Sequence, residues 1–157
     1  MSLLLVDVDH FKLYNDLHGH QKGDECLRVV ASLLGRTTRP ADLCARYGGE
    51  EFAMILPETD HEVACRIAER LRDGLAKLKL EHGAAGVGPH VTLSIGVATQ
   101  VHDEYLGCDW LIKQADQALY AAKHSGRDRF VSADHALRAL VRPRGLRKSV
   151  VSEKRAS

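Results

Sequence analysis

The sequence predicts an α/β domain of the α+β kind, a mixed central β-sheet flanked by helices, in a chain of 157 residues. Three observations predict it. A continuous apolar run opens the chain, two shorter apolar runs flank a pair of glycines, and segments with helical apolar spacing alternate with these runs.

Taken in order, Leu3 to Val8 is rich in branched residues and ends in acidic ones, the pattern of a strand buried on both faces. From Asp24 to about Gly35, Leu27, Val30 and Leu34 recur at helical spacing with Val29 and Leu33 beside them, and Asp24 is placed to cap that helix. Leu43 to Tyr47 and Phe52 to Leu56 flank Gly48-Gly49, a hairpin signal because glycines tolerate positive φ, so Glu50 and Glu51 fall at its tip. Thr59 and Glu62 have capping-box spacing ahead of Val63, Ile67, Leu71, Leu75 and Leu78, which share one face of a long helix. Glu81 to Pro89 reads as a glycine-rich loop, and Val91, Leu93, Ile95 and Val97 alternate as a strand. Leu111, Ile112, Ala115, Leu119 and Ala122 make a last helix that stops near Gly126, and Arg129 to Val131 is a short edge strand. The order β-α-β-β-α-β-α-β sets a hairpin inside a crossover pattern, a ferredoxin-like, polymerase-palm layout.

With 45% hydrophobic residues the chain can build one sizeable core, and it is too short for two full domains. Residues 1–131 read as that domain and residues 132–157 as a basic tail, where Pro143, Gly145 and the charge-rich ending favour disorder over the alternative of a short helix from His135 to Val141. The formal charge of +1 conceals an asymmetry, because Arg138 to Arg155 is rich in Arg and Lys while the body is slightly acidic. No specific nucleic-acid patch is expected on the body; the tail is either a solubilising end or a contact for anionic lipid or nucleic acid. Cys26, Cys44, Cys65 and Cys108 lack CxxC spacing, which disfavours zinc or a disulfide framework and fits a reducing cytoplasm. Asp7 and Asp9 cut the opening apolar run far short of a membrane span, so a cytoplasmic location is expected, with any membrane attachment supplied from outside the chain.

Asp7 and Asp9 close the first strand, Glu50 and Glu51 cap the hairpin, and neighbouring central strands would bring these carboxylates together. Convergent hard oxygens suit magnesium that also holds a nucleotide triphosphate, since the ion takes few carboxylates and completes its octahedron with water and phosphate oxygens. Solvated acidic loop ends are the plainer reading of any one pair alone.

Several motifs in register carry a resemblance. Arg46-Tyr47-Gly48-Gly49-Glu50-Glu51-Phe52 is similar to the signature hairpin of diguanylate cyclases, and Asp7-Val8-Asp9-His10-Phe11-Lys12, then Asn15-Asp16, Gly19-His20 and Gly23-Asp24, resembles the family's other long motif. Ser94-Ile95-Gly96-Val97-Ala98, Ala115-Asp116, Ala118-Leu119-Tyr120, Ala122-Lys123 and Ser125-Gly126-Arg127 follow in matching order and spacing. On these residues Leu3 to about Val131 is identified as a member of the GGDEF family, with a nucleotide-cyclase-like fold.

The resemblance implies a nucleotidyltransferase that condenses two GTP molecules into cyclic di-GMP and releases pyrophosphate. It implies two Mg2+ ions per active site, Mn2+ being an alternative, held by Asp7, Glu50 and the Val8 carbonyl with help from Glu51; Asp7, Glu50 and Glu51 are the expected catalytic residues. Asn15 and Asp24 would read guanine, whose N1 and N2 donors suit a carboxylate, and this role competes with the helix cap for the same Asp24 oxygens. Phe11 would shape the nucleotide pocket by packing and Lys12 by charge. Lys123 and Arg127 resemble the phosphate-binding pair, the alternative being ordinary charge at a helix C-terminus. Arg39-Pro40-Ala41-Asp42 stands where the family has its RxxD inhibitory site for product, with Arg70 as a second arginine; a surface ion pair is the alternative. Each domain resembles half a catalyst, so a homodimer is required, driven in the family by an upstream sensor domain that this chain does not contain.

The family usually precedes its first strand with a helix and an Asp-x-Leu-Thr-Gly-Leu-x-Asn-Arg-Arg motif, whereas Met1-Ser2 here leads straight into Leu3. Apolar sheet surface is therefore expected to need a partner or the tail to cover it. Two functional classes stay open: a cyclase, favoured by the intact Glu50 and Glu51, and a binding module that senses cyclic di-GMP through Arg39 and Asp42, or GTP, without turnover.

Overall fold

Every residue of the first strand, β1 (Ser2–Val8), is buried, and this places it at the centre of the sheet. The computed structural model describes residues 1–100 and 107–133. After β1 come α1 (Phe11–His18), α2 (His20–Thr37), the hairpin β2 (Leu43–Arg46) and β3 (Glu51–Leu56), α3 (His61–Leu78), β4 (Leu93–Thr99), α4 (Cys108–His124) and β5 (Arg129–Ser132). The strands form one five-stranded sheet in the order β2-β3-β1-β4-β5. All pairs are antiparallel except β4 with β5, which are joined through α4. The expected mixed sheet is thus observed, with one further helix, α1, ahead of the expected first one.

Period-two alternation shares β1 between two cores. Leu4, Val6 and Val8 pack with Val30, Leu34, Ile67 and Leu71 beneath α2 and α3, while Leu3 and Leu5 meet Leu111, Ala115 and Leu119 of α4. Each such aliphatic side chain, fully buried, contributes about 1.5–3 kcal/mol. At Gly96 the backbone of α4 lies directly on β4, so that a Cβ there would collide with the Ala115 carbonyl and the Leu119 amide.

Several local expectations give way to the structure. Helix α2 starts at His20, so Asp24 lies beyond its first turn and does not cap it. The joint is Gly19, at φ 80, whose N–H donates to the Asn15 carbonyl at 2.8 Å to end α1 and whose left-handed backbone starts α2. Helix α1 escaped sequence reading because it buries only Phe11 and Tyr14, too few residues to show a period. The cap of α3 is Asp60, accepting from the Val63 N–H at 2.8 Å; Thr59 instead accepts from Arg39 at 2.8 Å and donates to the Pro57 carbonyl at 3.0 Å. Neither Gly48 nor Gly49 is among the residues with positive φ. The hairpin is closed by the Tyr47 and Gly48 N–H groups, which donate to the Glu51 carbonyl at 2.8 and 3.1 Å, and by the Arg46 guanidinium, which donates to the Gly48 and Gly49 carbonyls.

The apolar surface expected to lie bare is only partly so. Leu3 and Leu5 are covered by α4, whereas Leu43 and Ile55, register partners on β2 and β3, are exposed. The tail, including the alternative short helix from His135 to Val141, lies outside the described residues apart from Ser132 and Ala133. The four cysteines are free. Among the described residues no helix is long and apolar enough to cross a membrane.

Candidate active site

The acidic residues of two strands meet at the C-terminal end of β1. Asp7 lies opposite Glu51 of β3 and Ser94 of β4, and the Val8 N–H donates to the Glu50 carbonyl at 3.3 Å. Alternation turns Asp7 toward α4, where Lys123 Nζ donates to its Oδ2 at 2.6 Å. Burial pushes the Asp7 carboxyl up to about 6 in spite of Lys123, and the charges of Glu50 and Glu51 push it the same way. The β1–β3 register is what sets both glutamates beside this strand end.

Among the described residues no three His, Cys, Asp or Glu side chains are already arranged to hold a metal ion. Lys123 is the cation that Asp7 holds. The donor set still suits a hard divalent ion, because such an ion needs only one or two protein carboxylates beside carbonyl, water and phosphate oxygens. Asp7, the adjacent Val8 carbonyl and the hairpin glutamates supply that chemistry.

Asp9 does not join the cluster. It is buried, and its carboxylate is taken up by Ser94 Oγ at 2.6 Å, Thr92 Oγ1 at 2.7 Å and the Asp128 N–H at 3.0 Å. The serine of the Ser-Ile-Gly run is the sequence signal that could have pointed to this role. Lys123 and Arg127, expected as a pair, point to different neighbours. Lys123 is on Asp7, while Arg127 follows α4 in a left-handed turn at φ 57. Arg127 shares a cleft of about 480 Å³ with His10, Arg72, His90, Thr92 and Asp128. His10 titrates below the usual histidine range, first because of burial and then because of the Arg127 charge.

Asn15 Oδ1 is buried and has no hydrogen-bond partner, and it lies so close to Gly23 that any Cβ there would collide with it. Asp24, one residue further along α2, is exposed and opens on a cleft of about 450 Å³ that Arg28, Arg46 and Phe52 also line. The two expected guanine contacts thus flank Gly23. Phe11 is a core residue stacked on Tyr14, with ring centroids 6.2 Å apart, and Lys12 is exposed. Arg46 and Phe52 were missed as cleft residues because a hairpin gripped by its own arginine leaves no mark in spacing.

At the RxxD corner the structure contains the ion pair. Arg39 donates to Asp42 through its backbone N–H at 2.8 Å, Nε at 3.3 Å and Nη2 at 2.9 Å, and Nη2 also reaches the Pro57 carbonyl at 3.2 Å. The Arg39 hydrogen bond holds the Asp42 carboxyl below the usual range. Arg70 lies in a groove of about 360 Å³ with Val63, Arg66 and Glu69, which neither Arg39 nor Asp42 lines.

Similarity to known proteins agrees with this geometry. The family model for "Diguanylate cyclase, GGDEF domain" matches residues 1–129. Diguanylate cyclase DgcM of Escherichia coli (strain K12) is 46% identical over 132 residues, covering 84% of this chain but only 30% of that protein. Diguanylate cyclase A of Treponema denticola is 39% identical over 129 residues, 82% of this chain and 34% of the relative. The chain thus spans about a third of the length of these curated relatives. Among solved structures, the GGDEF domain of DgcB from Caulobacter crescentus in complex with c-di-GMP has a TM-score of 0.75 at 39% identity, covering 85% of this chain and 77% of that one. The active GGEEF domain of a diguanylate cyclase from Vibrio cholerae has a TM-score of 0.74 at 36% identity, covering 84% and 81%. From β1 to the first residue of β5, this chain belongs to the diguanylate cyclase GGDEF domain family.

Proposed function

We propose that the end of β1 is half of a diguanylate cyclase site, which binds one GTP with divalent metal and joins it to a second GTP held by another copy of the domain. The observation that carries this reading is the register that sets Asp7 opposite Glu51 and beside Glu50, with Lys123 reaching in from α4. Asp7, Glu50 and the Val8 carbonyl, with Glu51 beside them, would hold two magnesium ions or manganese in their place. When bound, such ions neutralise phosphate charge and lower the pKa of the attacking hydroxyl.

The chain's own residues do the rest. Lys123 and Arg127 offer charge-assisted donors to the β and γ phosphates, while Asn15 and Asp24 hold the guanine edge and exclude adenine, which lacks a matching donor pair. In the reaction the 3′-oxygen of one GTP bonds to the α-phosphorus of the other, and the bond to the β-phosphate oxygen breaks to release pyrophosphate. Glu50 or Glu51 accepts the hydroxyl proton. Repetition in the opposite sense closes the ring, so two copies must face each other antiparallel as a homodimer. Arg39 and Asp42, with Arg70 as a further arginine, form the inhibitory product site; the c-di-GMP bound to the related DgcB domain supports product binding. A GTP-consuming domain of this kind works in the cytoplasm.

The Lys123 ammonium seated on Asp7 at 2.6 Å supports a second reading as a GTP or cyclic di-GMP sensor without turnover. Incubation with GTP and magnesium at high protein concentration, with products separated by chromatography, distinguishes them. Cyclic di-GMP and pyrophosphate mark the cyclase; GTP that binds and is recovered unchanged marks the sensor and sinks the cyclase reading.

A further inference from the structure

We propose that Asp9 and Arg72 are positioning residues that hold the turn after α4 and thereby aim Arg127 at the nucleotide phosphates. The inference rests on the reading of Arg127 as a phosphate contact.

Three consecutive residues of that turn have left-handed backbones: Gly126 at φ 110, Arg127 at φ 57 and Asp128 at φ 45. For a residue with a Cβ this conformation is strained, so two in succession persist only where the surroundings impose them. Helix α4 holds the turn from one side, the Ser125 and Arg127 N–H groups donating to the Ala121 and Ala122 carbonyls at 2.9 and 3.1 Å. What holds the turn from the other side is Asp128. Its N–H donates to Asp9 Oδ2 at 3.0 Å, and its Oδ1 accepts from Arg72 of α3 through Nε at 3.3 Å and Nη2 at 3.1 Å.

Asp9 is itself immobilised. It is 2% exposed, its N–H donates to the Thr92 carbonyl at 3.0 Å, and the Ser94 and Thr92 hydroxyls fix its two oxygens at 2.6 and 2.7 Å. Both oxygens are therefore engaged, which fits a bracket better than a metal ligand. Through this bracket the turn carrying Arg127 is tied to the strand end that carries Asp7, so the phosphate contact and the catalytic carboxylate keep a fixed separation.

Calorimetric binding of a non-reactive GTP analogue and of GMP, with thermal unfolding as a control, tests the bracket. Arg127→Ala should weaken the triphosphate about tenfold or more and leave GMP unchanged, the loss expected of a charge-assisted contact. Asp9→Ala should do the same and add little to Arg127→Ala in the double variant, because coupled residues are non-additive. Asp9→Asn should stay within about threefold of the parent, its carboxamide oxygen still accepting from the Asp128 N–H and its amide donating to the Ser94 hydroxyl. Arg72→Ala should weaken the triphosphate by about two- to threefold through the same contact, and it alone decides if Asp9→Ala does not fold. The proposal is overturned if Asp9→Ala weakens GMP as much as triphosphate, if the double variant is additive, or if Asn is as harmful as Ala. Parent-like triphosphate binding by Arg127→Ala would instead overturn the phosphate reading itself, and the bracket's purpose with it.

Discussion

Two carboxylates in this molecule are each held by one basic side chain, Asp7 by Lys123 at 2.6 Å and Asp42 by Arg39 at 2.9 Å, yet they titrate in opposite directions. Asp7 is pushed up to about 6, burial being the largest cause and Glu50 and Glu51 adding to it. Asp42 is held below the ordinary range, its hydrogen bonds from Arg39 outweighing burial. The difference lies in the neighbours: Lys123 gives Asp7 one hydrogen bond amid other acids, whereas Arg39 gives Asp42 three with no such competition. The end of β1 still lacks positive charge and gains from a further cation. The RxxD corner is satisfied internally, and a ligand there must displace contacts before it gains any.

The largest effect expected from this contrast is on turnover. Asp7→Ala or Glu50→Ala should lower cyclic di-GMP synthesis by roughly a hundredfold or more while the fold survives, since each removes charge stabilisation that no neighbour replaces. Chromatography of GTP incubations measures it, and full activity in either folded variant would remove the metal assignment. Next comes the scaffold that brings Lys123 to Asp7. Gly96→Ala should destabilise by about 1–3 kcal/mol in urea unfolding because α4 must lift off β4. Gly35→Ala, in the interior of α2 with nothing within 4 Å of the new Cβ, should instead stabilise by about 0.5–1 kcal/mol.

The strands, the hairpin, both long helices after it and the order of elements were legible because apolar periodicity over whole segments reports burial directly. What escaped was decided by single residues. Gly19 ends the unforeseen α1 and lets α2 start at His20 rather than at Asp24, and Asp60 replaces Thr59 as the cap because Thr59 is drawn into the Arg39 network. At the site, the resemblance named the residues, but only the structure shows that Asp9 serves hydroxyls and a turn, that Lys123 rests on Asp7, and that Arg127 lies beside His10. Such contacts join residues more than eighty positions apart, as between Asp9 and Ser94, and no local pattern encodes them.

Smaller effects are expected where single side chains meet the nucleotides. Asp24→Ala should reduce discrimination of GTP from ATP by about 1–3 kcal/mol, since guanine donors lose their acceptor. Nucleotide competition measures this, and unchanged exclusion of ATP would leave Asp24 without a recognition role. Arg39→Ala should weaken cyclic di-GMP by about tenfold in calorimetry, less than several charge-assisted bonds would suggest because Arg39 must first release Asp42 and Pro57. Raised salt should weaken binding further, and equal affinities for variant and parent would reduce the motif to a surface ion pair.

Acid and base should act on the two corners with opposite sign. The folded Asp7 value lies above its unfolded one, so its contribution to stability is complete below about 3.8 and is lost as pH rises through about 6; protons also compete with metal there. The folded Asp42 value is depressed, so its contribution is present above the unfolded value and lost as pH falls through the folded one. The most direct test is a carbon-13 NMR titration of the Asp7 carboxyl, alone and with magnesium and GTP. The midpoint should lie near pH 6 for the protein alone and move well below the ordinary carboxylate range when both are added. A midpoint that stays where it was, with GTP shown to be bound, would contradict the claim that this strand end is the metal and nucleotide site.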